Sequence, residues 1–145
     1  TVHASGGLEM LKAVTKKAKK INRNIKVLGV TILTSLNNKS LKEIGYTKSV
    51  DKLVLKQVAL IKKSGAAGCV CSAKEAKMLR KKFKNLYIVT PGIRLPGDKT
   101  NDQERVMTPK DAFKNKVSAI VMGRSIIKND IKKNVKRLIE HLNQW

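Results

Sequence analysis

The sequence predicts an α/β fold built on a parallel β-sheet. Short runs of apolar and β-branched residues alternate with amphipathic helical segments along the 145 residues, and no hairpin signal joins two apolar runs. Strict alternation of this kind is typical of βα units, which place their strands side by side and parallel. In addition, glycine or polar residues follow strand after strand. That distribution favours a (β/α)8 TIM barrel, with functional residues at many strand ends, over a doubly wound sheet with one glycine-rich turn.

The strands are predicted from continuous apolar runs, which are typical of strands buried on both faces of a parallel sheet. The first, at 2–5, is a short strand tail. The clearest is Lys26 to Leu33, which contains four β-branched residues. In chain order the predicted strands are 2–5, 26–33, 68–72, 86–90 and 118–123.

The helices are predicted from apolar spacing and from the residues at their ends. Leu8, Leu11 and Val14 share one face of a helix over about 8–20. The remaining helices are predicted from capping residues. They run from a Ser49 cap over 50–64 with Gly65 after it, from a Ser72 cap over about 74–83 with Glu75 in a capping box, from Thr108-Pro109 over a short segment, and from Asn129 or Asp130 to about His141.

A closed barrel needs eight strands and typically about 250 residues. This chain supplies five strands, and Val2-His3 has the pattern of a strand end whose beginning lies upstream. We therefore expect residues 1–145 to form a single partial domain, the last five βα units or so of a barrel. About three βα units would precede Thr1.

The net charge of +22, from 32 Lys and Arg against 10 Asp and Glu, calls for an explanation. A nucleic-acid-binding domain usually concentrates its basic residues, often with aromatic residues between them. Here the charge is spread evenly along the chain, aromatic residues make up 3%, and Lys greatly outnumbers Arg. This pattern favours a lysine-rich solvent surface over a nucleic-acid partner.

The sequence also bears on compartment and on metal binding. No apolar run approaches the roughly 18 residues of a membrane span, and the first 20 residues lack a signal peptide's apolar stretch. Cys69 and Cys71 are expected to point to opposite faces of a strand and to stay unbridged, as in a reducing cytoplasm. No further Cys or His accompanies them at metal-ligand spacing, so neither a metal nor membrane association is predicted, and the expected location is cytoplasmic.

A phosphate site is predicted at the ends of the last two strands. Barrels of this class often bind phosphate with the loops that follow those strands. Pro91-Gly92-Ile93-Arg94 follows the fourth predicted strand, and Gly123-Arg124-Ser125 follows the fifth. Because Arg is scarce in this chain and suits phosphate geometry, the pair of Arg94 and Arg124 points to phosphate more strongly than either alone.

Two further positions are candidates for substrate contact. The loop 95–108 is long and polar, as binding loops and lids commonly are, and Gln103 within it could donate from its amide. A disordered surface excursion is the alternative. Thr34 follows the second strand, where a hydroxyl could bind a ring amide or carbonyl or, alternatively, cap the next segment.

Six blocks of the sequence together resemble orotidine 5'-phosphate decarboxylase. They occur in that family's order and cover essentially the whole chain. They are Val2 to Gly7, Val30 to Leu36, Val70 to Ala76, Val89 to Arg94, Asp102 to Pro109 and Val121 to Ile126.

The resemblance implies a homodimeric (β/α)8 barrel, a carbon–carbon lyase that converts OMP to UMP and carbon dioxide without metal or organic cofactor. It also implies that Thr34 contacts the pyrimidine or ribose and that Arg94, Gln103, Gly123 and Arg124 hold the phosphate. The family's catalytic Asp and Lys residues, centred on D-x-K-x-x-D, would all precede Thr1. The resemblance therefore assigns no catalytic residue to this chain, which we expect to be inactive alone.

Two alternatives remain open at this point. One is a related barrel enzyme of the hexulose-phosphate synthase type, which would act on a sugar phosphate with a similar phosphate grip. The other is a non-enzymatic basic module, whose nucleic-acid affinity would fall steeply with salt.

Overall fold

The computed structural model describes residues 1–98 and 105–143, and at its centre lies a five-stranded sheet. Every pair of adjacent strands is parallel, and neighbours in the sheet are also neighbours in sequence. This confirms the predicted α/β fold with a parallel sheet. The strands are β1 Val2–His3, β2 Leu28–Val30, β3 Gly68–Val70, β4 Tyr87–Thr90 and β5 Ala119–Ile120.

Helices connect successive strands, as a parallel sheet requires. A short 3-10 turn, Ala4–Gly6, leads from β1 into the first of them. The helices are α1 Gly7–Ile21, α2 Asn38–Glu43, α3 Val50–Lys63, α4 Ala73–Lys82, α5 Pro109–Lys114, α6 Arg124–Ile127 and α7 Ile131–Asn143.

Three predicted helix starts are confirmed by their side-chain contacts. Ser72 and Glu75 form the predicted capping box of α4, with the Ser72 amide donating to Glu75 Oε2 at 2.8 Å. Thr108 accepts from the Asp111 amide at 3.2 Å, with proline at the first helical position of α5. Asp130 accepts from the Lys133 amide at 3.0 Å and so caps the start of α7.

Other expectations about the elements were wrong in detail. Ser49 occupies the predicted position before α3 but makes no side-chain cap; the Val50 amide at the helix start donates to Asn38 Oδ1 at 2.9 Å. The predicted strand 26–33 is a ladder of only Leu28–Val30, although Thr31 continues it with a hydrogen bond to Val70. Helices α2 and α6 were not predicted.

The expected opposite orientation of the two cysteines was also wrong. Alternate residues of a strand point to the same face. Cys69 and Cys71 are accordingly both buried, with their Sγ atoms 3.9 Å apart, and both are free thiols. Burial and the neighbouring Cys69 thiol raise the pKa of Cys71, with the hydrogen bond from Cys69 as the largest cause.

The core lies between the sheet and the helices that cover it. Helix α3 contributes Val54, Val58 and Ile61, which are fully buried, and it packs against α1 and α4. From the sheet, Cys69 and Ile88 face the same core. No helix within the described ranges is long and apolar enough to cross a membrane.

The parallel arrangement brings the segments after the strands to one edge of the sheet. Thr34, Ser72, Arg94 and Arg124 lie in segments that follow β2, β3, β4 and β5 respectively. A single face of the molecule therefore carries these four residues.

We expect Gly68→Ala to lower the free energy of unfolding by about 2–4 kcal/mol, as overpacking against rigid atoms does. A Cβ at Gly68 would overlap the backbone carbonyl of Tyr87 on β4, which cannot move without breaking the ladder. Gly6→Ala is the matched control, because the atoms nearest its Cβ belong to the far end of the flexible Met10 side chain, which is 37% exposed. The control should lose about 1 kcal/mol in urea titration. Equal losses in the two variants would contradict this account.

Candidate functional site

A basic cleft of about 240 Å³ lies beyond the carboxyl ends of β4 and β5. Its walls come from the segment after β4, from α6 and the turn that follows it, and from α7. The lining residues are Arg94, Gly97, Asp98, Arg124, Ser125, Lys128, Asn129, Asn134 and Arg137. The described part of this cleft therefore combines four basic side chains with one carboxylate, which suits an anionic ligand.

Arg94 is the buried wall of the cleft. Only 7% of the residue is exposed, and its Nη1 donates to the Ile93 carbonyl at 2.9 Å. Its backbone is fixed as well, because the Arg94 amide donates to the Met107 carbonyl at 3.1 Å. Gly92 lets the chain turn out of β4 with a φ of 74°, a conformation that side-chain-bearing residues rarely adopt. The sequence and the turn thus aim a largely desolvated guanidinium at the cleft, where charge interactions are stronger than in water.

Arg124 is an exposed basic residue of the cleft. It begins α6, directly after Gly123, whose carbonyl accepts from the amides of Ile126 and Ile127 at 2.8 and 3.0 Å. A Cβ at Gly123 would meet nothing within 4 Å, so the space beside the turn is open. The exposed Arg124 and the buried Arg94 therefore line one cleft beside this open turn.

Helix α7 lines the cleft and holds two of its other walls in place. Asn134 donates to the carbonyls of Ile126 and Lys128 at 3.0 and 2.6 Å, which fixes the end of α6 to α7. One turn further on, Arg137 donates to Asp98 Oδ1 at 3.2 Å. The same helix therefore holds both α6 and the segment that follows β4.

Asp98 is ionised beside these cations. Its partial burial acts to raise the pKa, but the nearby Ser125 hydroxyl and the hydrogen bond and charge of Arg137 outweigh that effect and hold the pKa of the Asp98 carboxyl below its usual value. A carboxylate in the wall of the cleft repels an anion unless it is neutralised. The ion pair with Arg137 supplies that neutralisation.

The predicted substrate-binding residues are only partly brought together. Arg94 and Arg124 line the same cleft, and Gly123 adjoins it as the residue before α6. Thr34 is buried at the end of β2, two strands away from β4, and is not among the lining residues. Gln103 lies outside the described residues.

The sequence reasoning missed the contribution of α7 and its neighbours. Asn134 and Arg137 were treated only as parts of a closing helix, and Asp98 only as part of a polar loop. Their spacing of three residues on α7 places Asn134 and Arg137 on one face and could have indicated a shared role. What that face contacts depends on tertiary packing.

A second cluster of charged groups lies at the ends of β2 and β3. The Arg105 guanidinium forms an ion pair with Glu75, and the two side chains are 10% and 3% exposed. Burial raises the pKa of Glu75 to about 7, although the charge of Arg105 and the hydrogen bond from the Ser72 amide favour the ionised form. Within the described ranges, no group of three or more His, Cys, Asp or Glu residues could hold a metal ion.

Comparisons with known proteins identify the family that this chain resembles. Residues 1–138 match the model of the "Orotidine 5'-phosphate decarboxylase / HUMPS family". The chain is 45% identical over 136 residues to the orotidine 5'-phosphate decarboxylase of Buchnera aphidicola. The aligned residues cover 92% of this chain and 58% of the relative. The chain is 44% identical over 128 residues to the orotidine 5'-phosphate decarboxylase of Coxiella burnetii, covering 86% of this chain and 54% of the relative. The chain therefore spans a little over half the length of these curated relatives.

A solved structure gives the same result for the fold. The orotidine 5'-phosphate decarboxylase of Lactobacillus acidophilus superposes with a TM-score of 0.74 at 33% identity, covering 99% of this chain and 63% of that one. The similarity confirms the prediction that the parallel sheet corresponds to part of a TIM barrel.

We expect Glu75 to make the protein less stable as the pH rises. The unfolded side chain loses its proton near 4.5 and the folded one near 7, so the native state binds more protons between these values. Stability is therefore greatest below the lower value and falls as the pH rises through the upper one. Relative to Glu75→Gln, the wild type should lose about 2–3 kcal/mol between about pH 5 and about pH 8 in urea unfolding.

The matched control for this experiment is Glu9→Gln, since the Glu9 side chain is 85% exposed. That variant should follow the wild-type pH dependence. If the free energy of unfolding of Glu75→Gln fell with pH as steeply as that of the wild type, burial of Glu75 would not be the cause of the fall.

Proposed function

The chain belongs to the orotidine 5'-phosphate decarboxylase / HUMPS family, and from that premise we propose that it forms the carboxyl-terminal part, residues 1–145, of an orotidine 5'-phosphate decarboxylase. The whole protein would convert OMP to UMP and carbon dioxide in pyrimidine biosynthesis. Identities of 44 and 45% to relatives with that name favour it over a hexulose-phosphate synthase within the same family.

The observation that carries the proposal is the pairing of Arg94 and Arg124 in one cleft beyond adjacent strands. A phosphate monoester carries up to two negative charges and accepts several hydrogen bonds, which guanidinium groups satisfy best. We assign the phosphate to Arg94, Gly123 and Arg124, with Gln103 as a further donor.

Thr34 would bind the other end of the nucleotide. It is buried at the end of β2, on the same edge of the sheet as the cleft but separated from β4 by β3. An extended nucleotide has its base and its phosphate at opposite ends, so two separate contact points along the sheet edge suit it. Thr34 would therefore contact the pyrimidine or the ribose.

In this proposal the residues of this chain bind the nucleotide, and the residues that assist the breaking of the carbon–carbon bond lie elsewhere in the whole protein. Loss of carbon dioxide leaves an electron pair on the pyrimidine ring carbon, and a Lys outside this chain would protonate it while an Asp destabilises the departing carboxylate. Residues that bind the remote phosphate accelerate such a step when part of their binding energy is realised only in the transition state. We propose that the whole protein acts as a homodimer without metal or organic cofactor.

Arg124→Ala in the whole protein should weaken UMP binding by about 2–3 kcal/mol, the usual loss for a charged hydrogen bond. Calorimetric titration with UMP measures it directly. Arg23→Ala is the matched control, because Arg23 is exposed between α1 and the amino end of β2. Unchanged UMP affinity in Arg124→Ala would remove this residue from the site.

The isolated 145-residue chain should not decarboxylate OMP, whereas the whole protein should. The proposed catalytic Asp and Lys residues lie outside this chain, so the reacting carbon would have no proton donor in it. Chromatography of OMP and UMP after incubation measures the conversion by each of the two preparations. Turnover by the isolated chain would refute the proposed location of the catalytic residues.

A further inference from the structure

Residues 105–107, which we call the strap, cross the carboxyl ends of three neighbouring strands. After β2, Arg105 Nη2 donates to the carbonyls of Ile32 and Leu33 at 3.1 and 2.8 Å. After β3, the Ser72 hydroxyl donates to the Arg105 carbonyl at 3.4 Å. The first residue of the strap is thus joined to two strand ends at once.

The last residue of the strap is joined to the third strand. The Met107 amide donates to the Gly92 carbonyl at 3.4 Å, and the Met107 carbonyl accepts from the Arg94 amide at 3.1 Å. These two bonds form a parallel bridge just beyond β4. The strap therefore connects the segment before Thr34 with the backbone of Arg94.

Glu75 fixes the direction of the Arg105 side chain. Its Oε1 pairs with Arg105 Nη1, while its Oε2 accepts from the Ser72 amide at 2.8 Å. Burying such a pair costs desolvation energy that its attraction often fails to exceed, so the pair is weak evidence for a gain in stability. Its geometric effect is specific: the planar guanidinium binds Glu75 and two carbonyls of the segment after β2 together, which the single ammonium of Lys cannot reproduce.

We propose that Arg105 is a positioning residue that sets the distance between the two halves of the substrate site, Thr34 at the end of β2 and Arg94 at the end of β4. This inference rests on the proposed function. Arg105 itself touches no substrate; it acts through the backbone of Leu33, directly before Thr34, and through the strap that holds Arg94.

The chain offers a matched control at the opposite edge of the sheet. Arg80 binds backbone carbonyls in the same manner, with Nε donating to Lys116 at 2.8 Å and Nη1 donating to Lys84 at 3.1 Å and to Leu86. These partners lie before β4 and β5, at the amino ends of the strands. Arg80 is therefore a tether of similar chemistry that is remote from the candidate site.

The test compares Arg105→Lys, Arg105→Met and Arg80→Met in the whole protein, each assayed well below its melting temperature. Both Arg105 variants should lower kcat/KM for OMP about tenfold or more and weaken UMP binding by a similar factor. Inorganic phosphate, which probes the cleft alone, should inhibit them as it inhibits the wild type. Arg80→Met should lower the melting temperature and leave all three binding and kinetic constants unchanged.

The outcomes separate the possible explanations. Should the binding of inorganic phosphate and the binding of UMP weaken by the same factor, the cleft itself is damaged and the positioning role is wrong. Should Arg80→Met and the Arg105 variants behave alike, Arg105 is a structural tether only. If Arg105→Met does not fold, Arg105→Lys, which keeps the charge, decides between these results. A wild-type protein that neither binds UMP nor decarboxylates OMP would overturn the proposed function itself, whatever the variants do.

Discussion

Parallel pairing of sequential strands is the constraint on which the rest of this structure depends. Because each strand runs in the same direction as the one before it, the chain must return to the opposite edge between strands, and helices make that crossing. The carboxyl ends then lie at one edge. The ladders are only two to four residues long, so buried residues of α3 such as Val54, Val58 and Ile61 must hold the sheet from outside.

Much of this fold could be predicted from local sequence signals. The capping box of Ser72 and Glu75 and the start of α5 at Thr108-Pro109 are interactions between near neighbours, so the spacing of the residues reveals them. Helix α2 was missed because it has only six residues, too few to show an apolar period, and its cap is Asn37. Strand lengths were overestimated because apolar residues continue past the point where the ladder ends.

The candidate site was predictable only where its residues follow strands. Arg94 and Arg124 could be paired from the sequence because a parallel sheet brings successive strand ends together. The roles of Asp98 and Arg137 depend on a contact between residues 39 apart in the chain, which no local pattern reports. The same holds for Arg105, whose partners in the segment after β2 lie 72 and 73 residues away.

The electrostatics of the cleft differ in kind from the charge of the whole chain. A net charge of +22 spread over a solvated surface acts over about 10 Å at ordinary ionic strength and selects no particular anion. In the cleft, Arg94 is buried and Asp98 is paired with Arg137, so the local balance is set by fixed groups that salt screens less. In the proposed function, selectivity for a phosphate depends on where a few arginines are held, and the contacts of the strap with Arg94 and of α7 with Asp98 and α6 would set that placement. Added surface lysines would hasten the arrival of anionic ligands without changing which one is retained.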